Sequence, residues 1–428
     1  MEAKIAKSYV EGKVTAPSSK SYTQRATACA LIAEGVTEIA NPSMSEDAMS
    51  ALLAARMLGA QFQLKKSGAW SIMGGTITTP EDAICCGGSA TALRLFTSIS
   101  AHAPGTTVLT GDASLRRRPI NALLEAMNSL GAKCFSTRGN GLAPIVVLGG
   151  GIAGGEATMR GDISSQFISS LLISCTKAKR DAKIALSSAL ESRHYVEMTL
   201  EVLGKFGGSC DADFGRGIFV IQGGQILRPC SYAVEGDYSS AAFMLAAGLL
   251  GGKVEVAGIT IPSRQGDSQF VEIIHRMGGA ISQTGNGLKA ETSLIEGIEL
   301  DARQIPDLVP IVVALASKAV GDTTITGIGR LRLKESDRVT TVAEAIGRMG
   351  GSVETSKEKM VISGGRMTRG ALIDPHGDHR IAMACAVLAI ASEGETTIKD
   401  AECVSKSYPS FFKDLKAIGA NVEMGAVG

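Results

Sequence analysis

The run Arg338-Val339-Thr340-Thr341-Val342-Ala343-Glu344-Ala345-Ile346-Gly347-Arg348-Met349-Gly350-Gly351 reads as an amphipathic helix with a built-in stop. Val339, Val342, Ala343, Ile346 and Met349 fall on one face at helical spacing. Gly350 follows where a helix end commonly needs positive φ, which glycine adopts at no steric cost. The same ending occurs five more times, as Leu58-Gly59-Ala60, Leu130-Gly131-Ala132, Phe206-Gly207-Gly208, Met277-Gly278-Gly279 and Ile418-Gly419-Ala420. Successive glycines stand 72, 76, 71, 72 and 69 residues apart, so the chain is an internal repeat of six units. A second, more apolar helix precedes each stop, opening near Ser21, Ser89, Ser164, Ser239, Asp307 and Asp378. Short β-rich runs such as Ile218-Phe219-Val220-Ile221, Lys253-Val254-Glu255-Val256 and Thr323-Thr324-Ile325-Thr326 supply strands. The fold class is therefore α/β, with the earlier helix of each unit apolar enough to be buried on most sides.

Composition narrows the function. With 428 residues, 45% hydrophobic and 20% charged, the chain is globular and long enough for two or more domains. A net charge of +1 without a basic run argues against a nucleic-acid surface and against a polybasic membrane patch, leaving small molecules as the expected partners. Nine cysteines without a CxxC or a Cys/His ligand spacing read as reduced thiols of a cytoplasmic protein, with no metal site. The N-terminus lacks a signal-peptide core, and the longest apolar run, Ile381 to Ala391, is too short to span a bilayer.

Polar residues gather where the helices begin. The stretch Ala16-Pro17-Ser18-Ser19-Lys20-Ser21-Tyr22-Thr23-Gln24-Arg25 runs into the apolar segment Ala26 to Ala33, and an anion would suit the unpaired N–H groups of such a helix start. Serine and aspartate in these places are ordinary caps, which is the reading for Ser239, Ser240 and Asp267. Eight cations are another matter: Lys20, Arg118, Arg193, Arg264, Lys334, Arg338, Arg380 and Lys406. Each meets the positive end of a helix dipole at a cost of roughly 0.3–1 kcal/mol, so an anion is expected beside them. Guanidinium forks pair bidentately with phosphate and carboxylate, which points to a ligand carrying several negative charges. On these residues alone Asp307 is an N-cap after Pro306, and a non-catalytic repeat protein that binds phosphorylated metabolites would explain the helix starts without chemistry, although it gives no reason for Asp307 and Glu335 to lie among the cations.

The motifs PSSKSYTQR (17–25), GGSATALR (87–94), TGDASLRRRPI (110–120), GDISSQF (161–167), ESRHY (191–195), VEGDYSSAA (234–242), Pro306-Asp307, LKESDR (333–338), GDHRIAM (377–383) and SKSYP (405–409) resemble, in this order, those of the 5-enolpyruvylshikimate-3-phosphate synthase family of enolpyruvyl transferases. The resemblance covers essentially the whole chain. It implies two similar domains, each of three strand-helix-strand-helix-strand-strand units forming an inside-out α/β barrel, with the active site in the interdomain cleft. The expected domains are 14–232, and 1–13 with 233–428. The implied reaction transfers the enolpyruvyl group of phosphoenolpyruvate to the 5-hydroxyl of shikimate 3-phosphate, in a monomer without metal or organic cofactor.

Site residues carry over by the same resemblance. Lys20, Ser21, Arg25, Ser164, Ser165, Gln166, Ser192, Asp307 and Lys334 are expected to hold shikimate 3-phosphate, with Tyr195 against its ring. Phosphoenolpyruvate falls to Lys20, Ala90, Arg118, Gln166, Arg338, Arg380 and Lys406. Asp307 is the expected base toward the hydroxyl and Glu335 the donor to carbon, with Lys20 sharing the acid/base work. The chain departs from the family at Gly88-Ser89-Ala90-Thr91, where Asn-Ala-Gly-Thr is usual, and at Arg330, where asparagine is usual. Ala90 thus stands at a glycine that lies beside the phosphoenolpyruvate site, where the herbicide glyphosate also binds. The sister transferase acting on UDP-N-acetylglucosamine carries a cysteine or aspartate in a loop near Leu115 to Arg118. Here that loop reads Ala113-Ser114-Leu115-Arg116, with neither.

Overall fold

All six stop glycines lie at positive φ: 109° at Gly59, 81° at Gly131, 76° at Gly207, 76° at Gly278, 88° at Gly350 and 100° at Gly419. The apolar residue before each, Leu58, Leu130, Phe206, Met277, Met349 or Ile418, is buried, so each helix ends by driving one side chain into the core as the backbone reverses. In the computed structural model, which describes residues 1–425, the chain between these stops folds into six four-stranded sheets and twelve α-helices.

Three sheets follow the chain directly. In one, Ile84–Cys85 pairs parallel with Thr107–Thr110 across the helix Ala90–Ile99. After the helix Asn121–Ser129, the strands Lys133–Ser136 and Ile145–Leu148 close an antiparallel hairpin whose second strand lies against Thr107–Thr110. Gly155–Met159 through Ile218–Ile221 and Glu299–Asp301 through Lys359–Ser363 repeat this order. The other three sheets borrow a strand from far along the chain. Ser231–Ala233 pairs parallel with the strand Gly35–Ala40, and Val10–Thr15 pairs parallel with Gly252–Ala257. Glu2–Ala6 lies antiparallel between Glu395–Ile398 and Asn421–Gly425. Each sheet has four strands, so no closed barrel of strands forms among the described residues.

The chain divides into two compact units, Ser18–Val234 and Met1–Pro17 with everything from Glu235 onward. A cut after residue 13 would split Val10–Thr15, which is paired along its whole length, and a cut after 232 would split Ser231–Ala233. The crossings therefore fall a few residues later than the expected 13/14 and 232/233, at Pro17 and Val234.

Within Ser18–Val234 the helices Lys20–Ile32, Ala90–Ile99 and Ser165–Ser174 are buried almost all round, as are Tyr238–Gly251, Val309–Ala316 and His379–Ala389 in the other unit. Burial of an entire helix requires that its polar side chains be satisfied locally. Thr23, Thr27, Thr97 and Ser317 do this by donating to the carbonyl four residues back, at 2.9, 2.8, 2.6 and 2.9 Å. No helix of the described residues is long and apolar enough to cross a membrane.

Candidate active site

A buried helix of 10 to 13 residues such as Ala90–Ile99 or Lys20–Ile32 climbs about 15–20 Å, and the 4- to 6-residue strand after it descends by a similar length. Each repeat therefore returns the chain to the start of its own first helix. Lys20 Nζ donates to Asp47 Oδ2 at 3.0 Å, 27 residues on. Lys334 Nζ donates to Asp307 Oδ1 at 3.2 Å, again across 27 residues, and Lys406 Nζ donates to the Gly377 carbonyl at 3.0 Å across 29. The fold thus gathers helix starts and the turns that precede the second helices into one layer of each unit.

In the unit Ser18–Val234, Arg25 sits one turn into its helix and is 1% exposed. Its guanidinium donates to Thr199 Oγ1 at 2.8 Å, the Ser21 carbonyl at 2.9 Å and the Tyr195 carbonyl at 3.1 Å, and lies 5.6 Å from the Tyr195 ring centroid. These partners are neutral, and burial pulls the guanidinium down to about 10. Ser192 precedes the helix Arg193–Lys205 at φ 53°, a conformation that costs a serine strain. Ser164 caps the helix Ser165–Ser174 by accepting from the Gln166 N–H. Ser164 Oγ and Gln166 Oε1 also accept from Arg94 Nη1, at 3.1 and 2.6 Å, while Gln166 Nε2 donates to Thr91 Oγ1 at 2.8 Å. Arg94 reaches the Pro119 carbonyl at 3.1 Å with its other arm, next to the buried Arg118. Ala90 opens the helix Ala90–Ile99 and is 6% exposed.

In the other unit the side chains converge on Asp307. Arg338 Nη1 donates to Asp307 Oδ1 at 2.8 Å, and Arg380 Nη2 stands 3.3 Å from Oδ2. Arg338 is 1% exposed and also donates to Glu335 Oε2 at 2.6 Å and Asp378 Oδ2 at 2.8 Å. Asp378 caps the helix His379–Ala389 through the Arg380 N–H, which positions Arg380 as well. Burial resists the charge on Asp307, but Arg380, Lys334 and Arg338 outweigh it and hold the carboxyl well below the usual carboxylate range. Burial pushes Lys334 down to about 8 despite Asp307, with Arg338 and Arg330 adding to the effect. For Arg338 burial is overcome by Asp378, Glu335 and Asp307, and its affinity for the proton rises.

Bare cations at helix starts are therefore corrected in part. Lys20 is met by Asp47, and Lys334, Arg338 and Arg380 by acids of the same chain, so the charge cost at a helix start is offset before any ligand arrives. Arg193 lies over the Phe214 ring, 4.2 Å from its centroid, and donates to Glu197 at 2.7 Å, which makes it part of a solvated helix face. Arg330, at the family's asparagine, turns one arm to the Arg303 carbonyl at 2.9 Å. Arg94, Asp47 and Asp378 were missed as members of the clusters. A charged residue inside GGSATALR, an otherwise apolar helix, was the available signal for Arg94.

Open four-stranded units around buried helices are the architecture of the enolpyruvyl transferases, and here acid and base clusters gather at the helix starts. The solved enolpyruvyl transferase NikO from Streptomyces tendae has the same fold, with a TM-score of 0.79 over 99% of this chain and 98% of that one, at 17% identity. Within that class, the chain belongs to the EPSP synthase (3-phosphoshikimate 1-carboxyvinyltransferase) family, whose pattern matches residues 5–415. It is 44% identical to the 3-phosphoshikimate 1-carboxyvinyltransferase of Methanocella arvoryzae over 99% of this chain and 100% of that protein. It is 40% identical to that of Methanocaldococcus jannaschii over 97% of each. The solved EPSP synthase of Acinetobacter baumannii matches with a TM-score of 0.82 at 26% identity, over 99% of this chain and all of that one.

Proposed function

We propose that the protein transfers the enolpyruvyl group of phosphoenolpyruvate to the 5-hydroxyl of shikimate 3-phosphate, giving 5-enolpyruvylshikimate 3-phosphate and phosphate, as a cytoplasmic monomer of the shikimate pathway. The observation that carries this reading is the convergence of Lys334, Arg338 and Arg380 on Asp307, with Glu335 on another arm of Arg338, in a chain of this family.

The chemistry assigns the parts. The hydroxyl oxygen bonds to C2 of phosphoenolpyruvate as its proton passes to Asp307 and the methylene carbon gains a proton from Glu335. Loss of phosphate then breaks the C2–O bond as the methyl group returns a proton to Glu335 and the departing phosphate takes up the proton held by Asp307, so protons balance over the two steps. Lys20 shares the proton transfers. Ser21, Arg25, Ser164, Ser165, Gln166, Ser192, Tyr195 and Lys334 bind shikimate 3-phosphate with Lys20 and Asp307. Arg118, Arg338, Arg380 and Lys406 bind phosphoenolpyruvate with Lys20, Gln166 and Ala90. Substrate anions that engage Lys334, Arg338 and Arg380 draw those cations from Asp307 and make it a stronger base when the hydroxyl is present.

Phosphate release that requires both shikimate 3-phosphate and phosphoenolpyruvate tests the reading, with UDP-N-acetylglucosamine as the rival acceptor. Asp307→Asn and Glu335→Gln are expected to lose at least about a hundredfold in kcat while still melting cooperatively. Release with the UDP-sugar alone assigns the chain to the sister reaction, and binding of both ligands without release makes it a non-catalytic binder.

A further inference from the structure

Gln24 lies one turn beyond Lys20 on the same face of the helix Lys20–Ile32 and is 0% exposed. Its Nε2 donates to the Asp47 carbonyl and to Ser89 Oγ, each at 2.7 Å. A carbonyl only accepts, so the amide nitrogen must face it, and both of its hydrogens are engaged. Oε1 is left without a hydrogen-bond partner among the described residues. An unpaired buried acceptor is a cost that an apolar side chain of the same size avoids, so packing gives no reason for an amide here. The other repeats agree. In the fourth, Ser239 and Asp267 make the contact that Lys20 and Asp47 make in the first, 28 residues apart instead of 27. Asp237 takes the capping role expected of Ser239 and Ser240, its Oδ1 accepting from the Ser240 N–H at 2.8 Å, and Asp267 takes its hydrogen bond from Ser239 Oγ. One turn beyond Ser239 stands Phe243, and one turn beyond Asp307 stands Ile311, both fully buried. The fold therefore accepts an apolar residue at this place.

The two acceptors belong to different elements. Asp47, in the first turn of the helix Glu46–Met57, also accepts from Lys20 Nζ at 3.0 Å through Oδ2, so one residue is held by its carboxylate and its carbonyl from positions a turn apart on the same helix. Ser89 caps the helix Ala90–Ile99, its Oγ accepting from the Ala92 N–H at 3.3 Å. It stands where the family usually has alanine, which offers no side-chain acceptor, and directly after Gly88, where glycine loosens the backbone. The hydrogen bond from Gln24 fixes across space a helix start that Gly88 loosens locally. We infer that Gln24 is a positioning residue for phosphoenolpyruvate in the transfer proposed above, on which this inference rests: through the Ser89 hydroxyl and the Asp47 carbonyl it holds the start of the helix Ala90–Ile99 and the Lys20 ammonium at one separation.

Gln24→Met keeps the length of the side chain and removes both donors. KM for phosphoenolpyruvate is expected to rise about tenfold, and kcat to fall by less than that. KM for shikimate 3-phosphate changes by no more than about twofold, because Arg25 is held separately by Thr199 Oγ1 and the Tyr195 carbonyl. Ser89→Ala breaks the same bond from its other end and raises KM for phosphoenolpyruvate in the same direction. Because the two substitutions remove one shared contact, the double variant is expected to match Gln24→Met to within about twofold instead of multiplying the two effects.

A second readout needs no turnover. The Ala92 and Leu93 N–H groups are bonded to Ser89 Oγ at 3.3 Å and the Ser89 carbonyl at 3.0 Å. In Gln24→Met they are expected to exchange about tenfold faster, while the helix Ser165–Ser174 keeps its wild-type protection. A wild-type KM for phosphoenolpyruvate in the variants, equal rises in both KM values, or multiplied effects in the double variant overturn the inference. So does unchanged exchange at Ala92 and Leu93. If Gln24→Met does not melt cooperatively, Ser89→Ala decides by the split between the two KM values and by exchange at Leu93, whose acceptor it retains. If the wild type releases no phosphate from the two substrates, the proposed function fails and phosphoenolpyruvate falls out of the inference with it, while exchange still decides whether Gln24 holds this helix start.

Discussion

Arg338 shows how a residue serves fold and site together. Removing one partner of a buried ion pair costs about 3–5 kcal/mol, and Arg338 has three such partners in Asp307, Glu335 and Asp378. For that reason the test of Asp307 uses asparagine, which keeps an acceptor for the guanidinium. Lys334, Glu335 and Arg338 were legible because they crowd into one short motif at a helix start. The partnership of Arg338 with Asp378 was not, since it joins residues 40 apart and each has an ordinary local reading as cap or cation. Ala90 illustrates a residue whose consequence is steric. The start of its helix is pinned, because Ser89 N–H donates to the Cys86 carbonyl at 2.9 Å and Ser89 Oγ accepts from Gln24 Nε2 at 2.7 Å and the Ala92 N–H at 3.3 Å. Gly88 therefore gives little freedom to shift the methyl away. With phosphoenolpyruvate placed at this helix start as proposed, glyphosate is the longer ligand, and an extra methyl in a filled site costs it about 1–3 kcal/mol. Wild type is expected to resist glyphosate, and Ala90→Gly to tighten its inhibition roughly five- to 150-fold with KM for phosphoenolpyruvate little changed. Equal, tight inhibition constants for the two proteins would remove the steric argument.

At the scale of elements, the glycine stops were legible because φ is a local property and only glycine meets it without strain. The strands were less so. Ile84–Cys85 and Leu372–Ile373 are two residues each and carry no alternation of their own; they pair because Thr107–Thr110 and Glu395–Ile398 offer an edge. Buried helices were legible from their apolar runs, whereas the contact of each helix start with the turn 27 to 29 residues later depends on matched helix and strand lengths. The stops can be ranked. A Cβ on Gly207 would meet nothing within 4 Å, so Gly207→Ala carries only the left-handed backbone cost of about 1–2 kcal/mol. A Cβ on Gly59 would stand 2.7 Å from the Thr76 carbonyl oxygen, and one on Gly131 2.7 Å from the Ala153 Cβ. Urea unfolding is expected to place Gly59→Ala and Gly131→Ala well below Gly207→Ala in stability, and Gly207→Ala below wild type. A cost-free Gly207→Ala would mean that the stops do not work through φ.

At the scale of the whole molecule, the two units differ in how their chain is supplied. Ser18–Val234 contains every strand of its three sheets, the last being Ser231–Ala233, which returns to pair with Gly35–Ala40. The other unit is closed only by the N-terminal segment. Glu2–Ala6 is the inner strand between Glu395–Ile398 and Asn421–Gly425, and Val10–Thr15 extends the sheet of Gly252–Ala257. Nothing in the local sequence of residues 1–15 tells which sheets they join, and only the family resemblance assigned them to the second unit. Ile5, Val10 and Val14 are buried there, at about 1.5–3 kcal/mol each, and the strand edges they cover would be left unpaired without them. That sum is comparable to the roughly 5–15 kcal/mol by which a domain is stable at all. Residues 18–234 expressed alone are therefore expected to melt cooperatively, and residues 235–428 alone are not. A permuted chain in which a flexible linker joins residue 428 to residues 1–17 is expected to recover the transition. Circular dichroism melting and amide exchange at Glu395–Ile398 and Gly252–Ala257 follow the outcome directly. Full cooperativity and protection in 235–428 without the N-terminal strands would show that the borrowed strands decorate the unit instead of closing it.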